Sequence, residues 1–296
     1  RTRFRPSFSF SLPEITPLLQ FGAPVVLSTS LYYIYTKSDR FFGGRTFGAE
    51  DLGYYAIGLQ LAAIPVEKIV SLLQSVLYPT LSKLKHQMQS FNTVYLAFVS
   101  MLALITFPLF IGGILTAEQL VVVILGEKWR PAIIPLKILL AAQLVMAISA
   151  PNGLIHAARG KPKWNLLFNA VLAPALAISF YFSAQSDELY KLALPWIMIY
   201  PLFQFGYISI TNRELGISSS EYIKSLAHPS LACLCMSLSI ILLSNFWSAN
   251  KETFLYLLAC ISLGCLSYVF YFFTLGQKFI KELKSLKDKD FELKEG

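Results

Sequence analysis

Residues 94–115 read VYLAFVSMLALITFPLFIGGIL, an apolar stretch without one charged side chain. Wound as an α-helix at about 1.5 Å per residue, such a run crosses a hydrocarbon layer about 30 Å thick. A membrane barrel would instead show alternating segments of about ten residues, because its strands face lipid and lumen in turn. Comparable apolar runs fall near residues 18–36, 52–81, 133–156, 164–183, 192–210, 231–247 and 254–274. The pattern therefore predicts an all-α polytopic membrane protein of about eight transmembrane helices.

Composition agrees. Charged residues make up 14% of the chain, against roughly 25% in an average soluble domain. Apolar residues make up 55%, and the mean hydropathy is +0.56. The segments between the apolar runs are short and leave no room for a soluble catalytic domain.

The net charge of +8 would point to nucleic acid in a soluble protein, but its placement decides otherwise. Arg1, Arg3 and Arg5, then Lys83 and Lys85, Arg159, Lys161 and Lys163, Arg213 and Lys224 fall on alternate connections, and the tail adds Lys278, Lys281, Lys284, Lys287, Lys289 and Lys294. The opposite connections are poorer: Lys37, Arg40 and Arg45, then Lys128 and Arg130, Lys191 and Lys251. By the positive-inside rule the richer loops and both termini are cytoplasmic. The basic residues thus address membrane lipids, and no nucleic-acid partner is expected.

This reading divides the chain into a cytoplasmic linker at 1–17, a six-helix unit at 18–211, an interfacial segment at 212–230, two further helices at 231–274 and a basic tail at 275–296. Residue one is Arg, and the Arg-rich start has no apolar secretory core, so a linker cut from a longer chain is expected. Within 212–230 the run 221–227 is amphipathic and expected at the membrane surface. In the tail, 277–289 sets Phe279, Ile280, Leu283 and Leu286 against lysines, as a helix lying on anionic lipid or a solvated end would.

No metal, phosphate-loop or nucleophile motif is present in the sequence, and neither cofactor nor enzymatic activity is expected. Cys233, Cys235, Cys260 and Cys265 lie inside the last two apolar runs and read as small buried packing residues. His86, His156 and His228 are far apart in sequence, each near a cytoplasmic helix end where water and headgroups are in reach. Charges inside the apolar runs are more informative, since one at the bilayer centre costs roughly 2.5–3.5 kcal/mol unless it meets a partner or a wet cavity. Glu67 and Lys68 sit midway along the second run, just after Pro65, and point about 100° apart. Asp39 and Arg40 close the first helix near the outer surface, and Lys137 lies inside the fourth.

Arg40, Lys68 and Lys137 are thus candidate contacts for phosphate or acidic sugar, or else structural and snorkelling cations. Asp39 and Glu67 are candidates for ion coupling. Tyrosines gather at 32, 33, 35, 54, 55 and 78. Tyr32 and Tyr35 are candidate sugar-stacking residues, while border anchoring is the alternative for the whole group.

Ordered motifs narrow the class. Phe21-Gly-Ala-Pro24, the run 38–45 (SDRFFGGR), the run 47–55 (FGAEDLGYY), Leu61-Ala-Ala-Ile-Pro65, the run 76–82 (VLYPTLS), Leu125-Gly-Glu-Lys-Trp129 and Leu136-Lys-Ile-Leu139 together resemble the second-lobe entry of the lipopolysaccharide and O-antigen flippase family. That family includes teichuronic-acid-type exporters and sits in the multidrug/oligosaccharidyl-lipid/polysaccharide superfamily. The resemblance implies two six-helix lobes, often with two extra helices, in the bacterial cytoplasmic membrane. It also implies an undecaprenyl-diphosphate-linked oligosaccharide carried to the outer leaflet by alternating access. On that plan this chain is the second lobe plus two extra helices, and its partner is a missing N-terminal lobe.

Two other classes stay open at this stage. A membrane-embedded oligosaccharide polymerase or glycosyltransferase would need acid–base groups in a sizeable outer loop. A drug exporter of the same superfamily would need an acidic cavity for cationic cargo.

Overall fold

The computed structural model describes residues 12–247, 250–277 and 279. They form eight long helices: α1 (Leu12–Thr46), α2 (Ala49–Lys83), α3 (Met88–Leu115), α4 (Ile133–Ala158), α5 (Lys163–Ala184), α6 (Leu194–Leu215), α7 (Ser219–Phe246) and α8 (Phe254–Thr274). Short turns at 117–132 and at Leu189–Ala193 lead into α4 and α6. No strand occurs among the described residues. Residues 1–11 of the linker expected at 1–17 and nearly all of the basic tail lie outside them, while residues 12–17 belong to α1.

Seven of the helical spans are long and apolar enough to cross a membrane. The exception is α1, although it is 35 residues long. Polar residues interrupt it, and it pays for them locally. Thr29 donates to the Val25 carbonyl at 2.9 Å, Ser30 to Val26 at 3.0 Å and Thr36 to Tyr32 at 2.9 Å. A hydroxyl bonded one turn back leaves no unpaired donor facing hydrocarbon.

Large apolar side chains cover the outside of the bundle. Phe182, Leu202, Phe246, Phe270 and Phe273 are each more than three-fifths exposed. A water-soluble surface does not carry so many exposed large apolar groups, whereas a lipid-facing one requires them. The chain is a polytopic helical membrane protein.

Helix pairing organises the interior. α4 is central, with α2, α3 and α6 all packed on it, while α1 runs along α5. α1 and α2 follow each other through a two-residue junction yet barely touch, so they splay apart and leave space between the α1–α5 and α2–α4 pairs. One apolar cluster joins Tyr35, Tyr55, Leu136, Leu172, Leu176, Phe180 and Trp196; a second joins Leu77, Leu81, Phe91, Tyr95, Leu102 and Ile155 at the other end. α7 and α8 pack on each other and reach the bundle through α3, where Cys233, Met236 and Ile240 meet Phe107, Ile111 and Leu115. The amphipathic run 221–227 forms the opening turns of α7. Ser218 caps them by accepting from the Glu221 backbone at 3.1 Å, while Glu221 accepts from the Ser218 backbone at 2.9 Å.

Several expectations are corrected here. α1 continues past residue 36 to Thr46, so Asp39 and Arg40 lie within the helix rather than closing it. His156 does not meet water: it is fully buried and contacts Thr211 at 3.1 Å. Only Cys233 and Cys260 are buried, whereas Cys235 and Cys265 face outward. Tyr35 and Tyr55 are interior residues rather than border anchors.

The α2–α4 contact depends on Gly58. A Cβ there would already touch main chain, 3.4 Å from the Leu136 nitrogen and 3.5 Å from the Ala132 carbonyl oxygen, so it just fits and a side chain that extends beyond it meets backbone. Gly58→Leu is expected to cost about 1–3 kcal/mol by overpacking, read as a lower unfolding temperature in detergent. Gly53→Leu, at a position with open space, should leave that temperature unchanged.

Candidate functional site

The space between the splayed pairs is a cavity of about 630 Å³, open on one side, with walls from α1, α2, α4, α5 and α6. α1 contributes Ser28, Tyr32, Tyr35, Thr36, Lys37 and Arg40, and α2 contributes Glu67 and Ser71. The facing helices contribute Gln143 and Ser149 from α4, Asn165 and Asn169 from α5, and Trp196, Tyr200, Gln204 and Tyr207 from α6. Polar groups thus converge inside a bundle whose outside is apolar, the arrangement expected of a site that takes a hydrophilic ligand out of lipid.

Behind the α1 wall lies the carboxylate of Asp39, which is fully buried. One oxygen accepts from the Tyr55 hydroxyl at 2.8 Å and from the Trp196 indole N–H at 3.1 Å; the other accepts from the Arg40 backbone N–H at 2.7 Å. Asp39 therefore ties α1 to α2 and α6 at one point. Its charge also faces the Arg40 guanidinium, with Nε at 3.7 Å. Arg40 donates once through Nη2 to the Thr36 carbonyl at 3.2 Å, and Nε makes no hydrogen bond. A guanidinium has five N–H donors, so most of this fork is free to address the cavity.

Aromatic rings form a row along the same wall. Tyr32 meets Tyr35 edge-on at 5.3 Å between centroids, Tyr35 meets Trp196 at 6.4 Å, and Trp196 meets Tyr200 at 5.8 Å. Further along, Tyr207 stacks on Phe168 at 4.2 Å and donates its hydroxyl to Asn165. Asn165 also donates to the Gly153 carbonyl at 2.8 Å, and Asn169 donates to the Ser28 hydroxyl at 2.8 Å.

The seven residues singled out from sequence separate in space. Arg40, Tyr32, Tyr35 and Glu67 line the cavity together. Asp39 stands behind its wall. Lys68 is exposed and does not line the cavity, and Lys137, on α4, does not line it either. Sequence reasoning missed Gln143, Trp196, Tyr200 and Gln204. Each is a lone uncharged polar or aromatic residue in an apolar run; their helical spacing at 196, 200 and 204 was the available signal. Among the described residues no group of His, Cys, Asp and Glu could hold a metal ion.

A second polar cluster closes the α4–α6 end beside Tyr207. Glu214 accepts from Lys161 and faces Arg159 Nη1 at 3.3 Å and His156 Nδ1 at 3.4 Å. His156 in turn stacks on Tyr207 at 5.3 Å. At the opposite end Arg130 pairs with Glu127 at 2.9 Å, Glu118 at 3.2 Å and Glu252 at 2.8 Å, linking the turn before α4 to the α7–α8 connection.

Comparison with known sequences places these features among relatives. Residues 1–134 match the family described as "Polysaccharide biosynthesis protein". "Teichuronic acid biosynthesis protein TuaB" of Bacillus subtilis (strain 168) is 26% identical over 282 residues, covering 91% of this chain and 56% of that protein. "Lipopolysaccharide biosynthesis protein WzxC" of Escherichia coli (strain K12) is 25% identical over 248 residues, 81% of this chain and 50% of that protein. "Succinoglycan biosynthesis transport protein ExoT" of Rhizobium meliloti (strain 1021) is 26% identical over 275 residues, 90% of this chain and 54% of that protein. The chain spans about half the length of these curated relatives. Its similarity to polysaccharide biosynthesis proteins, one of them named as a transport protein, extends over most of its length.

Proposed function

We propose that this chain supplies one lobe of an exporter that moves a lipid-linked oligosaccharide across the bacterial cytoplasmic membrane by alternating access, with its basic loops on the cytoplasmic side. The observation that carries this reading is an open cavity, apolar over most of its wall, in which several polar side chains and an arginine fork with unengaged donors converge. A diphosphate and its sugars cannot cross hydrocarbon bare; a hydrated, partly cationic slot carries them while the lipid tail stays in the bilayer. Arg40 and Lys37 meet the phosphates, the exposed Tyr32 ring receives a sugar face, and no bond is made or broken. Glu67, on the α2 wall, is the residue placed to exchange a coupling proton or sodium ion with the slot. The opposite wall is a second lobe facing the open side. Lys68 and Lys137 stand outside the cavity and serve contacts beyond it.

Arg40→Ala in the full-length protein is expected to lower surface glycan export at least tenfold, with lipid-linked precursor accumulating on the cytoplasmic side and the amount of protein in the membrane unchanged. Arg40→Lys keeps the charge without the fork and should fall between the two. Normal export by Arg40→Ala would overturn the assignment.

A further inference from the structure

Tyr207 lines the cavity, and against its ring lies His156, with the two centroids 5.3 Å apart. His156 is fully buried, yet both of its ring nitrogens face oxygen. Nε2 lies 3.1 Å from the Thr211 hydroxyl, and Nδ1 lies 3.4 Å from a Glu214 carboxylate oxygen without forming a hydrogen bond. Thr211 has one hydroxyl hydrogen and donates it to the Tyr207 carbonyl at 2.9 Å, so Nε2 is the donor in its own contact. A neutral imidazole carries a single N–H. Nδ1 then turns a lone pair toward a carboxylate, two acceptors face to face. The other tautomer serves Glu214 only if Thr211 gives up its own bond. A ring protonated at both nitrogens keeps the Thr211 bond and also gives Glu214 a donor. A gap of 3.4 Å admits a proton and no larger ligand, and Glu214, one-fifth exposed, connects it to the rim.

The charge of that proton has to be accommodated. Facing the cluster, among the described residues, are Glu214 of α6, Arg159 at the end of α4 and Lys161 of the connection to α5. α5 itself presents the Trp164 indole, 6.2 Å from the imidazole between centroids, and α6 adds the Tyr207 phenol. With the ring neutral, two cations share one carboxylate; with it charged, three do. The cation that water takes back most cheaply is Lys161, whose side chain is 48% exposed against 18% for Arg159.

We infer that His156 and Glu214 form a proton site that latches the α4–α5 connection to α6. With the ring neutral, Lys161 holds Glu214 and the connection is closed; with a proton seated between Nδ1 and Oε2, Lys161 is released and the connection opens. Histidine ordinarily titrates near pH 6.5, so the change belongs between about pH 5 and pH 8. The inference goes beyond the export reading and stands without it, since it needs neither cargo nor a second lobe.

The test is hydrogen exchange of the full-length protein in lipid nanodiscs, corrected for the intrinsic pH dependence of exchange. The amides of Arg159, Gly160 and Lys161 donate to the Ile155, Ala157 and His156 carbonyls at 3.0, 3.0 and 2.8 Å and report the opening. Wild type is expected to lose about tenfold protection at these amides between about pH 7.5 and about pH 5.5. His156→Gln and His156→Asn, two uncharged replacements of different length, should stay protected at both pH values. Glu214→Gln should be poorly protected at both, and His228→Gln should titrate like wild type. Protection of the α7–α8 amides certifies the fold of each variant. Wild-type protection that does not fall in acid, or an acid loss that persists in the folded His156 variants, would overturn the proton site and leave the export reading standing.

Discussion

Full-length protein carrying Asp39→Ala unfolds in detergent at a markedly lower temperature than wild type and loses Arg40 as a positioned group. The expected cost is about 3 kcal/mol or more, on two grounds. Removal of a carboxylate that accepts from Tyr55 and Trp196 leaves two buried donors unpaired, at about 1–3 kcal/mol each. It also strips Arg40 of its counter-charge, and breaking a buried pair by deleting one member is typically worth 3–5 kcal/mol, a figure reduced here because Arg40 is partly exposed. The consequence reaches three helices, since Tyr55 is on α2 and Trp196 on α6. Asp39→Asn separates shape from charge. Its carboxamide oxygen can still accept from the two ring donors, but its –NH2 then opposes the Arg40 backbone N–H, so only part of the stability should return while Arg40 stays unbalanced. Equal stability of wild type and Asp39→Ala would show that the carboxylate holds nothing together.

The second large effect belongs to Glu214. Arg159, Lys161 and His156, all from the α4 end and the connection to α5, converge on this one carboxylate of α6. Glu214→Ala removes the acceptor of Lys161 and the negative charge that Arg159 and His156 face. Only Lys161 donates a hydrogen bond to it, worth about 1.5–3 kcal/mol to a charged group, while Arg159 and His156 add charge proximity alone at a partly wet site, so a net loss of roughly 2 kcal/mol is expected. The loss should be local: the Arg159–Lys163 connection becomes a preferred site for limited trypsin cleavage in membranes, before the bundle itself unfolds. Lys161→Ala alone should cost less, because Arg159 and His156 keep the carboxylate. A cycle of Glu214→Ala, Lys161→Ala and the double variant then yields a coupling energy above about 0.5 kcal/mol. Unchanged protease resistance in Glu214→Ala would show that the helix ends are held by apolar packing alone.

Much of the architecture was legible because a bilayer sets a simple criterion. A helix that meets lipid must be long and apolar, and seven helical spans satisfy this from composition and length alone. The boundary of α1 was not legible. Lys37, Asp39 and Arg40 read as the end of a membrane segment, yet the helix continues to Thr46 because Asp39 is satisfied by Trp196, a residue 157 positions away in sequence. Only the folded bundle brings that donor in. The cavity shows the same division. Charged residues inside apolar runs stood out by their insertion cost, and the 100° step between Glu67 and Lys68 indeed takes one into the cavity wall and leaves the other off it. Gln143 and Gln204 raised no such flag. A neutral carboxamide costs far less than a charge in hydrocarbon, and whether it lines a cavity is a property of packing rather than of spacing.

The Arg130 hub has a consequence of its own. Its contacts with Glu118, Glu127 and Glu252 are solvent-accessible, and the Debye length shrinks from about 10 Å at 0.1 M ionic strength to about 3 Å at 1 M. The tether between the α7–α8 connection and the rest of the molecule is therefore electrolyte-sensitive, whereas the seam of Met236 and Ile240 against Ile111 and Leu115 is not. Concentrated salt should release the rim of the last two helices while their oily base stays docked, which makes them an appendage hinged at one end rather than a wall of the six-helix body.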